Sequence, residues 1–236
     1  MKKIRNVLAI CLLMGAMTTP AFAANLDDMS DVEVLAIAQK GQAEAQYKIG
    51  DVYYYGSNDT EQDFDQARFW YEKAAQQGNA DAEYSLGVMY DNGEGVEQNP
   101  KKALAYYTKA ATHGSADAMY NLGYTYEYEQ DPPNYAKAFT WYSQAARLNH
   151  PEALNNIGVM YFNGRGVEQN FKKAFDYYQK AAELDNPTAQ YNLGCLYRDG
   201  KGIAVDKKQA MKWLGKAAEQ GDEDAKADLY ELIQQM

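Results

Sequence analysis

AEYSLGVMYDNGEGVEQNPKKALAYYTKAATHG, residues Ala82 to Gly114, decides the fold. Ala82, Leu86, Met89 and Tyr90 recur at spacings of three and four, as one face of a helix must. Ala103, Tyr106, Tyr107, Ala110 and Ala111 repeat the pattern for a second helix. Between them lies Asn92-Gly93-Glu94-Gly95-Val96, where glycines permit a tight turn with positive φ and Val96 is placed to tuck back as an apolar peg. The stretch therefore predicts two helices joined by a glycine loop.

The same unit recurs along the chain. Ile-Gly or Leu-Gly pairs end at Gly50, Gly87, Gly123, Gly158 and Gly194, in steps of 37, 36, 35 and 36 residues. Ala pairs keep that beat at Ala74, Ala110, Ala145, Ala181 and Ala217, each preceded by an aromatic at Trp70, Tyr106, Trp141, Tyr177 or Trp213. The loop returns as "NGRGVEQN" from Asn163 and in degenerate form as "DGKGIAVD" from Asp199, with Val167 and Ile203 as the matching pegs. No segment alternates with period two for long, so no sheet is expected.

Punctuation divides the repeats. Helix stops are expected at Gly41, Gly78, Gly114, Asn149, Asp185 and Gly221, because Asn and Asp tolerate a left-handed C-terminal position next best after Gly. N-caps follow at Asn79, Ser115, Asn186 and Asp222, and second helices start from Asp63, Asn99, Asn134, Asn170 and Asp206. Pro100, Pro151 and Pro187 fit the first helical position, where a missing N–H costs nothing. The repeats run approximately 42–78, 79–114, 115–149, 150–185 and 186–221, with a C-terminal cap at 222–236. A capping box from Ser30 and Glu33 starts a helix near Asp31–Lys40 that caps the other end. In the C-terminal cap Tyr230 stands where each repeat has its first-helix Gly, as expected if that Gly admits a neighbouring helix and the last helix has none.

Residues 1–23 read as a secretory leader, leaving 24–236 as one domain. Lys2, Lys3 and Arg5 precede an apolar run from Val7 to Met17 and the small-residue site Ala21-Phe22-Ala23. The run is too short to span a bilayer as a helix, and Cys11 sits mid-run, which disfavours lipidation. A periplasmic or secreted protein is expected. Of 23 Lys+Arg and 33 Asp+Glu, the leader removes three bases and no acids, leaving a net charge of −13. That balance argues against nucleic acid and anionic membranes and is compatible with a basic partner. It also serves solubility alone. Cys195 is the one thiol left outside the leader, so no internal disulfide is expected.

On these residues the chain resembles the Sel-one-like repeat family, relatives of the tetratricopeptide repeat. The resemblance covers nearly all of the chain beyond the leader and implies an all-α, right-handed solenoid of five helix-turn-helix repeats. It also implies an adaptor or scaffold role, as in exported bacterial members that bind regulators or host proteins. A cysteine-rich exported branch carries disulfides within each repeat, and this chain lacks those cysteines. The first repeat departs from the pattern at Tyr55–Gln62, and the third at Glu127–Pro133, which is one residue short and has no Gly.

Catalysis is not expected. His113 and His150 occupy different repeat positions at turns, and no ligand set recurs with them, so no metal is expected. The loop has neither the lysine nor the glycine spacing of a phosphate-binding loop, no cofactor is implied, and Cys195 reads as a small buried hydrophobe. The competing class is a cell-wall-acting enzyme or enzyme inhibitor, which a pocketed carboxylate pair with a raised pKa would support. A plain spacer is the third reading.

The face of the first helices opposite Ala82, Leu86 and Met89 carries Glu44, Tyr47, Asp51, Tyr54 and Tyr55 in the first repeat. The second gives Asp81, Tyr84, Val88, Asp91 and Asn92, and the third Asp117, Tyr120, Tyr124, Glu127 and Tyr128. Stacked repeats join such stripes into a concave groove. Tyr54, Tyr55, Asp91, Tyr124, Glu127 and Tyr128 are the expected binding residues, because Tyr47, Tyr84, Tyr120 and Tyr191 match the family pattern and serve structure. A protein or peptide partner for a monomer is thus expected, without nucleic acid or membrane insertion.

Overall fold

The computed structural model describes residues 25–234; the expected leader, residues 1–23, lies outside them. A 3-10 turn at Leu26–Asp28 leads into α1 (Asp31–Gln39). The five repeats are α2 (Ala43–Tyr55) with α3 (Phe64–Ala75), α4 (Ala80–Asn92) with α5 (Pro100–Thr112), and α6 (Ala116–Tyr124) with α7 (Tyr135–Arg147). They continue as α8 (Pro151–Asn163) with α9 (Phe171–Glu183) and α10 (Pro187–Asp199) with α11 (Lys207–Glu219), and α12 (Glu223–Gln234) follows. Among the described residues there is no strand, and no helix is long and apolar enough to cross a membrane. Each helix packs on its neighbours in chain order, and α2 also touches α4, so first helices line one side. This is the all-helical solenoid that the repeats imply.

Local chemistry sets the boundaries. Ser30 and Glu33 close a capping box on α1. Asn79, Ser115, Asn186 and Asp222 each accept the N–H three residues on, at 2.8 to 3.2 Å. The expected non-glycine stops adopt positive φ, 61° at Asn149 and 59° at Asp185.

Packing within a repeat rests on one contact. A Cβ on Gly50, Gly87, Gly123 or Gly158 would lie 2.5 or 2.6 Å from a ring carbon of Tyr71, Tyr107, Tyr142 or Tyr178. Only glycine lets each ring lie flat on the first helix. Those tyrosines are all at most 3% exposed, and each buries on the order of 2–3 kcal/mol of apolar surface. Gly194 meets Leu214 the same way, and Tyr230, at the equivalent position of α12, is 66% exposed. The core is continuous between units: one cluster joins Tyr107 of α5, Leu122 of α6, Tyr142 of α7 and Ile157 of α8.

The loops add a contact between repeats. The second glycine of each loop lies against the start of the preceding second helix: a Cβ on Gly95 would fall 2.5 Å from Phe64 Cβ, and one on Gly202 2.5 Å from the Phe171 carbonyl. Val96, Val167 and Ile203 are partly buried pegs packed against the core clusters. In the third repeat α6 instead runs into a π turn, Thr125–Glu129.

Candidate functional site

The first-helix face is built from recurring positions. Glu44, Asp81, Asp117 and Glu152 stand in the first turns of α2, α4, α6 and α8, where the helix dipole favours anions. One turn on, Tyr47, Tyr84 and Tyr120 lie over the buried tyrosines, with ring centroids 5.9, 5.8 and 5.7 Å apart. These rings form the wall of the face. The fourth repeat breaks the row with Asn155, whose carbonyl oxygen accepts from the Asn192 amide at 3.0 Å.

Carboxylates along the face are partly engaged by the core. Tyr71 donates its hydroxyl to Asp51 at 2.6 Å, and Tyr107 donates to Asp91 at 3.1 Å. Burial raises the Asp51 carboxyl above its ordinary range, despite those hydroxyl bonds. Asp117 moves the other way, because His150 Nε2 lies 3.1 Å from its Oδ1 and stabilises the anion.

Both histidines act in structure. His150 caps α8 by accepting from the Ala153 N–H at 3.3 Å and stacks on Tyr120 at 4.9 Å. His113 Nδ1 meets the buried Glu83 carboxylate at 2.6 Å.

The six expected binding residues divide. Tyr55, Tyr124 and Tyr128 face outward, at 75%, 44% and 53% exposure. Tyr124 and Tyr128 form a pair with centroids 4.8 Å apart, and Tyr55 meets Tyr54 edge-on at 4.8 Å. Tyr54 is itself half-buried, wedged against Phe64 and donating its hydroxyl to Glu94 of the next loop. Asp91 is half-buried. Glu127 corrects the expectation of a surface stripe: it is 3% exposed, with Arg165 Nη1 3.7 Å from its Oε1. It belongs to the π turn, which departs from the α-helical register used to place it.

A pairing rule missed in the sequence emerges from these contacts. The middle residue of each G-x-G loop reaches back to the residue four after the first-helix Gly of the preceding repeat. Glu94 takes the Tyr54 hydroxyl, Arg165 meets Glu127, and the Lys201 ammonium sits 5.3 Å over the Phe162 ring. The signal was legible: acid, base and base at the loop centre stand opposite a phenol, an acid and a ring. The glycine-free third loop supplies no such residue to Asp91.

A family model described as Sel1 repeat matches residues 43–79, 80–115, 116–150, 151–186 and 187–222. The chain is similar to a protective antigen of uropathogenic Escherichia coli strains, described as displaying an SLR fold, with a TM-score of 0.80 and 34% identity over 87% of this chain and 44% of that one. A Sel1 repeat protein from Oxalobacter formigenes matches with a TM-score of 0.78 and 33% identity, over 86% of this chain and 59% of the other. The Arabidopsis thaliana ERAD-associated E3 ubiquitin-protein ligase component HRD3B is 44% identical over 59 residues, which is 25% of this chain and 10% of that protein. The chain thus spans about a tenth to three-fifths of these relatives.

Proposed function

The chain belongs to the Sel1 repeat family, whose members act as protein–protein interaction scaffolds, and we propose that its first-helix face binds a partner polypeptide carrying basic residues. The observation that carries this reading is the outward set Tyr55, Tyr124 and Tyr128 on an acidic face. Of the eight Asp or Glu in helices α2, α4 and α6 with the π turn, Glu83 and Glu127 are buried, and the remaining six stand against one base, Lys48, which already pairs with Asp27. Tyrosines anchor interfaces because they bury much area at small entropic cost, and the excess of carboxylates around them selects a cationic segment. The acts we assign to the chain are binding and presentation, with no reaction. We place this work outside the cytoplasm, after removal of residues 1–23, and intact mass of the exported chain should begin at Ala24.

Tyr55→Ala with Tyr124→Ala tests the face, because neither ring is buried and Tyr54, which braces Glu94, is left alone. A partner captured by the wild type should be lost from the double mutant, with binding weakened by salt. Undiminished capture by the double mutant would sink the proposal.

A further inference from the structure

The second helices carry a surface of different chemistry. A groove of about 730 Å³ opens between α7 and α9 over α8, with Leu154, Tyr161, Tyr177 and Leu184 among its lining and Arg147 and Lys180 on its rim. It faces away from the first-helix stripe, which in α8 carries Asn155, Val159 and Phe162.

Two independent observations single this groove out. The first is a covariation among repeats. At one recurring pair of positions, Gln77 donates to Gln46 at 2.7 Å, His113 meets Glu83 at 2.6 Å, and Gln220 donates to Gln190 at 2.8 Å. The corresponding pairs in the third and fourth repeats are Met119 with Leu148 and Leu154 with Leu184. Leu148 and Leu184 are 52% and 44% exposed. Folding is satisfied by Gln or His here, so exposed leucines on adjacent repeats answer to something else.

The second observation is charge. Among the described residues Arg68, Arg165 and Arg198 each have a carboxylate partner, whereas Arg147 has none, in a chain of net charge −10. Lys180 likewise has no carboxylate, and its ammonium lies 5.8 Å over the Tyr177 ring. Lys173 lies 4.9 Å over Tyr161. Glu183, the acid on this rim, already accepts from the Gln179 amide at 2.9 Å.

We propose that the groove between α7 and α9 binds a peptide segment that combines apolar side chains with carboxylates. Leucine or phenylalanine would cover Leu154 and Leu184, and a carboxylate would take the planar, two-pronged guanidinium of Arg147. The protein then has two opposed faces of opposite preference, one for a basic segment and one for an acidic–apolar segment, as an adaptor joining two partners needs.

The test uses a short fluorescein-labelled peptide of leucine, phenylalanine and aspartate, read by fluorescence anisotropy on the full chain. Arg147→Glu with Lys180→Glu, both at exposed positions, should weaken binding on the order of tenfold or more. Leu184→Gln, which installs the residue found at Gln77 and Gln220, should weaken it severalfold while leaving the circular dichroism and melting curve in place. Tyr55→Ala with Tyr124→Ala should leave this affinity unchanged, so the two faces fail or stand separately. Absence of saturable binding, equal binding of the same peptide with asparagine for aspartate, or indifference to the charge reversal would each overturn the proposal. Dodecanoate binding more tightly than the peptide and displacing it would also overturn it, in favour of a small-amphiphile site.

Discussion

Between α4 and α5 the chain turns through Gly93 and Gly95, both at positive φ, whereas between α6 and α7 it crosses Glu127–Pro133 without a glycine. The glycine loop lies down on Phe64 of the preceding repeat and sends Glu94 to Tyr54. The third loop makes no such return: α6 opens into a π turn, the Tyr124–Tyr128 pair is left outward, and Glu127 turns in. The fourth repeat, regular again, supplies Arg165 to that buried acid. The third repeat therefore receives a loop contact from the fourth and returns none to Asp91 of the second, and its first helix ends in the outward Tyr124–Tyr128 pair.

The largest expected effect concerns what the two kinds of repeat share. Gly123 of the irregular repeat and Gly158 of a regular one both lie under a tyrosine ring, at the same 2.5 Å for an added Cβ. Gly123→Leu and Gly158→Leu should each cost about 3 kcal/mol or more in urea unfolding, because a branched side chain must displace a ring with no free space. Unequal costs would mean that the irregular loop has loosened the α6–α7 pairing. An unchanged unfolding curve would refute the close-approach argument.

A smaller, graded series tests the loop fingers. Arg165→Ala strips the counter-charge from a carboxylate that is 3% exposed and should cost about 2 kcal/mol, less than a fully buried pair because Arg165 is itself exposed. In a Glu127→Gln background the same change should cost under about 1 kcal/mol, since no buried charge is left behind. Glu94→Ala, which removes one hydrogen bond to a phenol, should cost about 1 kcal/mol. Lys201→Ala, which removes a cation over Phe162, should cost about 0.5 kcal/mol. Equal costs at all three loops would show that the fingers act by filling space.

The sequence carried the repeats because the determinants are local and periodic. Glycine at five equivalent positions, a cap residue before most helices and an Ala pair at each second-helix end are legible without neighbours. The ring on Gly87 belongs to Tyr107, one residue after the marker aromatic Tyr106, and the repeat beat alone does not say which of the two meets the glycine. Glu127 was misplaced for a physical reason. Straight α-helical geometry projects it outward, and nothing local in Thr125–Glu129 announces a π turn or the arginine that arrives from 38 residues downstream. The exposed tyrosines were legible as a stripe, but separating Tyr54 from Tyr55 required the loop contact. The outer groove was invisible, because Leu154 and Leu184 look like ordinary helix leucines until Gln46, Glu83 and Gln190 are seen to fill the same place.

The smallest expected effect lies at the far end of the same face. Cys195 occupies in the fifth repeat the position of exposed Tyr124 in the third, one residue after the helix Gly. Here the side chain is half-buried, with its thiol 3.7 Å from Asp228 of α12. Burial pushes the thiol pKa up to about 11, outweighing the Arg198 guanidinium, which favours the thiolate. The neutral thiol therefore dominates at pH 8, and the thiolate fraction is lower than that of a free cysteine on the order of a hundredfold. Iodoacetamide labelling followed by mass spectrometry should be slower than in urea-unfolded chain by about that factor, and its rate should climb with pH without levelling below about 11. For a chain lacking residues 1–23, in which Cys195 is the one cysteine, melting curves with and without reductant should superimpose, because a lone thiol cannot form an internal disulfide. Labelling at the unfolded rate would show that α12 lifts away from α10 and uncovers the thiol at that end of the face.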